Sequence, residues 1–147
     1  MKKILLGSDH GGLELKNKIS SYLAEKGYLV EDVGTKTSES CDYPIYAKKL
    51  CRKLLTSDFD SGILICGTGL GMQLCANRFK GVRAACVSDT YSAKMSKLHN
   101  NSNVLCLGAR VLGFGLALEI LETWLKTEFE GGRHQKRIDM LDVDLDV

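Results

Sequence analysis

The 147-residue chain lacks the sequence features that mark metal centres, membrane segments and nucleic-acid surfaces. None of its six cysteines forms a C-x-x-C pair and its three histidines do not cluster with them, so neither a zinc site nor a disulfide framework is predicted. A net charge of +2 gives no reason to expect a nucleic-acid or membrane partner. No apolar run reaches the length of a signal peptide or a membrane span. Free thiols without an export signal predict a cytoplasmic protein, and no cofactor fingerprint is present.

The chain also lacks internal repeats and low-complexity tracts, and it contains a single proline. Instead, short apolar runs alternate with amphipathic stretches. These runs predict five strands, at residues 3–7, 28–33, 63–65, 82–87 and 104–107. Strands separated by helices form one parallel sheet covered on both faces, so we predict a single α/β domain over residues 1–147, a Rossmann-like three-layer α/β/α sandwich with a five-stranded parallel sheet. Residues 131–147 are predicted to form a C-terminal helical tail, with Ile138, Leu141 and Leu145 at helical spacing.

The stretch SGILICGTGLGM at residues 61–72 is the most informative part of the sequence. A buried strand leads into a glycine turn and then into a helix, which directs backbone N–H groups towards an anion. Cys66 lies at the start of that turn, where the positive end of the helix favours the thiolate. A tight connection with an incidental buried cysteine explains the stretch equally well, because a lone G-x-G-x-G is a weak signal.

Further candidates follow the first and fifth predicted strands, because ligands bind at the carboxyl ends of parallel strands. Asp9 and His10 follow the first strand, and Arg110 follows the fifth. A helix cap beside a surface histidine is the plainer interpretation of the first pair. The loop after the first strand has neither the G-x-G-x-x-G of a dinucleotide fold nor the hydroxyl-rich phosphate loop of a flavodoxin.

Three more candidates lie away from those strand ends. His99 lies at the C-terminal end of a short predicted helix, where a histidine often serves only to interact favourably with the helix dipole. A helix through Arg133 and Arg137 would place both guanidinium groups on one face, which suits a phosphate, although a solvated basic turn is the alternative. A thiol, an anion-binding turn, histidines and arginines together could move a proton next to the carbonyl of a phosphorylated substrate.

Six motifs connect this interpretation to a known family. They are GSDHGG at 7–12, DYP at 42–44, GILICGTGLGM at 62–72, NR at 77–78, HNNSNVLCLGAR at 99–110 and EGGRHQKRI at 130–138. Over residues 2–138 the chain resembles the family of ribose-5-phosphate isomerase B and the galactose-6-phosphate isomerase subunits. The base of that family is a cysteine in one branch and a nearby acidic residue in another, and Cys66 places this chain with the cysteine branch.

The resemblance implies a metal-free aldose–ketose isomerase of the pentose phosphate pathway, which interconverts ribose 5-phosphate and ribulose 5-phosphate. By similarity, Cys66 removes the C2 proton, Thr68 assists proton movement between the two oxygens and His99 opens the sugar ring. The enediolate oxygens would be held by the backbone N–H groups of Gly67, Gly69, Leu70 and Gly71. The sugar hydroxyls would be bound by Asp9 and Asn100, with Tyr43 lining the pocket. The phosphate would be held by His10, Arg110, Arg133 and Arg137.

Two alternatives stay open beside this function. One is a hexose-phosphate isomerase of the same family, acting on allose 6-phosphate or galactose 6-phosphate. The other is a non-catalytic sugar-phosphate-binding domain, against which Cys66, Thr68 and His99 argue, because a pure binder needs no base.

The family also implies a homodimer with shared active sites, or a tetramer, and the predicted topology agrees with sharing. The helix before His99 has roughly nine residues and carries the chain about 13 Å back along the sheet. His99 should therefore lie too far from its own Cys66 and serve the site of the other subunit. The subunit that supplies Arg133 and Arg137 is left open, because the glycine pair before them can redirect the chain.

Overall fold

The computed structural model describes residues 1–143, along which strands and helices alternate. The strands are β1 Lys3–Ser8, β2 Leu29–Asp32, β3 Ser61–Cys66, β4 Ala84–Cys86 and β5 Val104–Gly108. The helices are α1 Leu13–Glu25, α2 Tyr43–Thr56, α3 Leu70–Ala76, α4 Thr90–Leu98, α5 Phe114–Lys126 and α6 Arg133–Asp139. All five predicted strands are present, although β2 and β4 are shorter than the sequence pattern indicated. Within residues 1–143, none of the helices has the length and apolarity needed to cross a membrane.

The five strands form one parallel sheet in the order β2-β1-β3-β5-β4, which confirms the predicted fold class. β3 and β5 are buried along their whole length, because helices cover both faces of the sheet. The register sets Ser8 opposite Ile65, and Cys66 opposite Gly108. The ends of β1, β3 and β5 therefore lie side by side at one edge of the sheet, the carboxyl edge, and their beginnings lie at the amino edge.

Alternating side chains divide the core into two halves. In β3, Ile63 and Ile65 point to the face that α1, α4 and α5 cover, and the fully buried Trp124 of α5 lies in this half. Leu64 and Cys66 point to the opposite face, under α2 and α3. Burying one large apolar side chain stabilises a fold by about 1.5–3 kcal/mol, so both halves hold the sheet and its helices together. The predicted three layers follow from this alternation.

The C-terminal tail is helical over less of its length than the predicted 131–147. Gly131 and Gly132 have φ angles of +72° and +57°, and this left-handed backbone separates α5 from α6. Helix α6 ends at Asp139, and the side chain of Leu141 beyond it is 63% exposed. Leu145, the last residue of the predicted apolar stripe, lies outside the described residues.

Side chains cover the outer edge of β4, the last strand of the sheet. Asn77 accepts a hydrogen bond from the Ala84 N–H at 2.8 Å and donates its side-chain amide to the Ala84 carbonyl at 2.9 Å. Gln73 of α3 accepts a hydrogen bond from the Cys86 N–H. These bonds satisfy the N–H and C=O groups of Ala84 and the N–H group of Cys86, which point away from β5.

Candidate active site

The glycine turn between β3 and α3 holds the sulfur of Cys66. Cys66 is 6% exposed, and the backbone N–H of Gly69 donates a hydrogen bond to its Sγ at 3.1 Å. Gly69 has a φ angle of +80°, which glycine adopts without strain. The hydrogen bond from Gly69 fixes the position of the sulfur inside the turn. On the outer side of the turn, Thr68 is exposed and its Oγ1 accepts a hydrogen bond from the Leu70 N–H at 3.3 Å.

Three other cysteines near the sheet have surroundings that favour the neutral thiol. Burial raises the pKa of Cys51 to about 12 and that of Cys106 well above its usual value. Burial also raises the pKa of Cys86, and the proximity of Cys66 adds to this effect. These three side chains therefore stay protonated at neutral pH.

The end of β1 places Asp9 and His10 at the same edge of the sheet. Asp9 is buried, and its Oδ1 accepts a hydrogen bond from the Gly12 N–H at 3.2 Å, so Asp9 caps a short 3-10 turn, His10–Gly12, that leads into α1. The Nδ1 atom of His10 accepts a hydrogen bond from the Cys41 backbone N–H at 3.1 Å. The neutral imidazole of His10 therefore carries its proton on Nε2, where it can donate to an anion.

Arg110 reaches the glycine turn from the end of β5. Its backbone N–H donates to the Gly67 carbonyl at 3.0 Å. Its guanidinium lies against the same glycine, since a Cβ atom placed on Gly67 would lie 3.0 Å from Arg110 Nη1. A Cβ atom placed on Gly11 would lie 3.6 Å from Arg110 Nη2 and 3.4 Å from the Gly67 nitrogen, so the turns after β1 and β3 also meet here.

Tyr43 comes to this edge from the first residue of α2. A Cβ atom on Gly71 would lie 2.8 Å from the Tyr43 ring, so only glycine allows the ring to rest on the first turn of α3. The structure thus brings one group of predicted site residues together at the carboxyl edge. They are Asp9, His10, Tyr43, Cys66, Gly67, Thr68, Gly69, Leu70, Gly71 and Arg110.

The loop that leads to Tyr43 is anchored by a buried lysine. Lys16 of α1 is fully buried, donates to the Thr35 carbonyl and forms an ion pair with Asp32 at 2.8 Å. Burial by itself would raise the pKa of Asp32, but hydrogen bonds from Lys16, Lys36 and the Gly34 N–H outweigh burial and lower that pKa. Asp32 therefore stays ionised and holds the start of the loop.

His99 lies at the amino edge, away from Cys66 of the same chain. It caps the end of α4, and Asn103, in the segment that follows, accepts a hydrogen bond from the Gly62 N–H at 2.9 Å. Gly62 is near the start of β3, and Cys66 at its end is about 13 Å further along the strand. The structure agrees here with the separation that the topology predicted.

The remaining predicted residues accompany His99. A cavity of about 230 Å³ at this edge is lined by His99, Asn100 and Arg137, together with side chains of α6 and the turn after it. Arg133 and Arg137 are both exposed and one helical turn apart on α6. The predicted site residues therefore form two groups at opposite edges, and neither group alone contains both Cys66 and His99.

The side chains of Glu130 and His134 lie next to His99, and neither was predicted to be a site residue. The ring of His134 stacks on the ring of His99, with centroids 4.2 Å apart and planes 14° from parallel. Glu130 Oε2 lies 3.9 Å from His99 Nε2 and 3.5 Å from His134 Nε2. Burial lowers the pKa of His134, and the charge of Arg133 lowers it further. Both residues belong to the EGGRHQKRI motif, but the fold alone creates the contact, because the Glu130 N–H donates to the Leu98 carbonyl at 3.0 Å.

The chain is similar to known proteins over nearly its whole length. The family model described as Ribose/Galactose Isomerase matches residues 4–141. Ribose-5-phosphate isomerase B of Escherichia coli K12 is 48% identical over 141 residues, which cover 96% of this chain and 95% of that protein. D-erythrulose-4-phosphate isomerase of Pectobacterium atrosepticum is 42% identical over 142 residues, which cover 96% of this chain and 93% of that protein.

A comparison of the fold with solved structures also finds a ribose-5-phosphate isomerase B. The structure of ribose-5-phosphate isomerase B from Clostridium thermocellum superposes with a TM-score of 0.94 at 48% identity, covering 95% of each chain. Both the sequence and the fold are therefore shared along the full domain, and the match includes the glycine turn with Cys66 and the helix α6 with its arginines. The chain belongs to the ribose/galactose isomerase family.

Proposed function

We propose that this protein is an aldose–ketose isomerase that interconverts ribose 5-phosphate and ribulose 5-phosphate. Beyond family membership, one observation carries the proposal: Cys66 Sγ accepts an N–H hydrogen bond inside a glycine turn, at the edge that also holds Asp9, His10 and Arg110. The reaction moves a hydrogen from C2 to C1, so it needs one base that removes a proton and returns it to the neighbouring carbon. A thiolate can do this without a metal ion.

In the proposed mechanism, Cys66 takes the C2 proton of the open-chain aldose and delivers it to C1. The enediolate that forms carries negative charge on its two oxygens, and the backbone N–H groups of residues 67–71 stabilise that charge. The N–H of Gly69 and that of Leu70 would turn to the substrate from the bonds that they make to Cys66 Sγ and Thr68 Oγ1. Thr68, exposed on the outer side of the turn, assists the proton exchange between the two oxygens. His99 opens the furanose ring by exchanging a proton with the ring oxygen before Cys66 acts.

The other residues bind the substrate. Asp9 and Asn100 hold sugar hydroxyls, and Tyr43 lines the pocket over the first turn of α3. The phosphate is held by His10, Arg110, Arg133 and Arg137. Arginine suits this role because its planar fork pairs with two phosphate oxygens at once.

The proposed site is complete only in a homodimer. Each protomer has its thiol at the carboxyl edge and its ring-opening histidine at the amino edge, so a two-fold axis would set His99 and Asn100 against the partner's Cys66 and form two identical sites. Leu74 of α3 and Tyr91 of α4 are 63% and 73% exposed, and burying these two side chains at the interface would stabilise the dimer. The same proposal includes a cytoplasmic location, which suits the six free cysteines, and it holds whether the dimers stay separate or pair into a tetramer.

A substrate comparison tests the proposal. Turnover would be measured with ribose 5-phosphate, allose 6-phosphate, galactose 6-phosphate and erythrulose 4-phosphate, the last because one relative is named for it. We expect the highest kcat/KM for ribose 5-phosphate. A preference for one of the other three would reassign the substrate. Binding of sugar phosphates without turnover of any would indicate a non-catalytic domain.

A further inference from the structure

His99, Glu130 and His134 form a group of three potential metal ligands that the isomerase mechanism does not use. Each offers one ligand atom, and the three atoms lie within 4.8 Å of one another. The Nε2 atoms of both imidazoles face the same carboxylate oxygen, Glu130 Oε2, at 3.9 and 3.5 Å. Two imidazoles and one carboxylate form a ligand set found in zinc sites that keep a fourth position open.

The Nε2 atom of His134 gives an independent indication of a ligand. His134 is 5% exposed, and within residues 1–143 its buried Nε2 forms no hydrogen bond, although Glu130 Oε2 lies 3.5 Å away. A buried polar atom without a partner is destabilising, and a coordinated metal ion would satisfy it.

The surroundings of this group leave room for an ion. The cavity of about 230 Å³ that His99 and His134 line is large compared with the roughly 30 Å³ that a water molecule occupies. A metal ion could therefore keep a water molecule or a substrate oxygen as its fourth ligand. Arg137 lines the same cavity and repels a cation, so we expect exchangeable binding, weaker than at a structural zinc site.

We propose that His99, Glu130 and His134 form an inhibitory site for a divalent transition-metal ion that prefers imidazole ligands, with Zn²⁺ as the probe. Coordination through Nε2 occupies the lone pair with which His99 would exchange a proton with the sugar, so a bound ion stops ring opening. This inhibitory effect rests on the proposed function of His99, whereas the binding of the metal does not. Because the ion blocks the reaction, the metal-free protein is the active form.

The test combines activity with direct binding. Isomerisation of ribose 5-phosphate would be followed in metal-free buffer with added Zn²⁺, and binding of Zn²⁺ alone would be measured by calorimetry. Glu130→Gln and His134→Gln each remove one ligand. Glu128→Gln is the matched control, since Glu128 is an exposed acid on the same segment outside the group.

We expect Zn²⁺ to inhibit the wild-type and Glu128→Gln proteins, and a chelator to restore both. The two ligand variants should keep their metal-free activity and need at least about tenfold more Zn²⁺ for half-inhibition, since even outer-shell changes weaken metal sites by about 10–100-fold. Glu130 is 47% exposed, so its variant tests the site even if loss of the buried His134 disturbs α6.

Three results would overturn the proposal. If all four proteins are inhibited at the same Zn²⁺ concentration, the ion acts elsewhere, for example on the Cys66 thiolate. If the ligand variants bind Zn²⁺ as the wild type does, this group is not the metal site. If binding is lost in both variants but the wild type is never inhibited, the inhibitory role is wrong. A metal-free wild type inactive on every sugar phosphate would count against the proposed function instead, and calorimetry would still decide the metal site.

Discussion

The carboxyl edge and the amino edge of the sheet carry their polar groups in different ways. At the carboxyl edge, the groups follow three neighbouring buried strands, and backbone bonds such as Arg110 N–H to the Gly67 carbonyl at 3.0 Å fix them. At the amino edge, His99 is a helix cap, and Arg137 is exposed on a helix of seven residues. The proposed proton transfer takes place at the carboxyl edge, where these bonds can hold a base within a fraction of an ångström. The proposed ring opening and much of the proposed phosphate binding take place at the amino edge.

Removal of the thiol should give the largest effect at the carboxyl edge. Cys66→Ala should lower kcat by about 10²–10⁴-fold, because it removes the acid–base group, and should leave sugar-phosphate binding nearly unchanged. Steady-state kinetics and a binding titration check both expectations. Cys86→Ala, at the neighbouring thiol with a raised pKa, is the control and should stay active. Near-wild-type turnover by Cys66→Ala would rule out the thiol as the base.

Mixing variants from the two edges tests whether they meet across a dimer. Cys66→Ala and His99→Ala should each be inactive on ribose 5-phosphate, the direction that requires ring opening. After an equal mixture is unfolded and refolded, random pairing makes half the dimers mixed, each with one intact site of two, so about a quarter of wild-type activity should return. Each variant refolded alone is the control. A mixture that stays inactive despite confirmed subunit exchange would place both residues in one site of one chain.

Replacement of the buried Lys16 should destabilise the loop that leads to Tyr43 at the carboxyl edge. The Lys16 side chain is fully buried and that of Asp32 is 18% exposed, so Lys16→Met leaves a largely buried carboxylate without its buried partner. We expect the free energy of unfolding to fall by about 3 kcal/mol, near the low end for a broken buried pair, because Asp32 keeps its bonds from Lys36 and Gly34. Urea unfolding would measure the loss.

The second lysine on the same carboxylate is the matched control. Lys36 is 66% exposed, so Lys36→Met should cost no more than about 1 kcal/mol. Equal losses in the two variants would contradict the anchoring role of Lys16.

The smallest effect is expected from the exposed arginines of the amino edge. Arg137→Ala should raise KM by about tenfold and change kcat little, because phosphate binding is nearly equal in the ground and transition states. Lys136→Ala, its exposed neighbour on the same helix, should leave KM unchanged. An unchanged KM in Arg137→Ala, with unchanged inhibition by inorganic phosphate, would show that the arginine only faces solvent.

The sequence was informative where one local pattern determines the geometry. The strand, the glycine turn and the position of Cys66 follow from residues 61–72 alone, and the Asp9 cap follows from residues 9–12. The stacking of His99 on His134 could not be predicted, because it depends on the hydrogen bond from Glu130 to Leu98, two residues far apart in the chain. The helical part of the tail was overestimated for a different reason, since apolar spacing alone does not reveal that Leu141 stays exposed beyond the end of α6.

The covered edge of β4 limits how this protein can assemble. An open edge strand offers its N–H and C=O groups to any passing strand, which is how sheets grow from one molecule into the next. In β4 the outward groups of Ala84 are already bonded to Asn77, so that strand cannot recruit a copy of itself. A continuous sheet therefore cannot grow from one molecule to the next past Ala84, and any association on this side must come from matching side-chain surfaces.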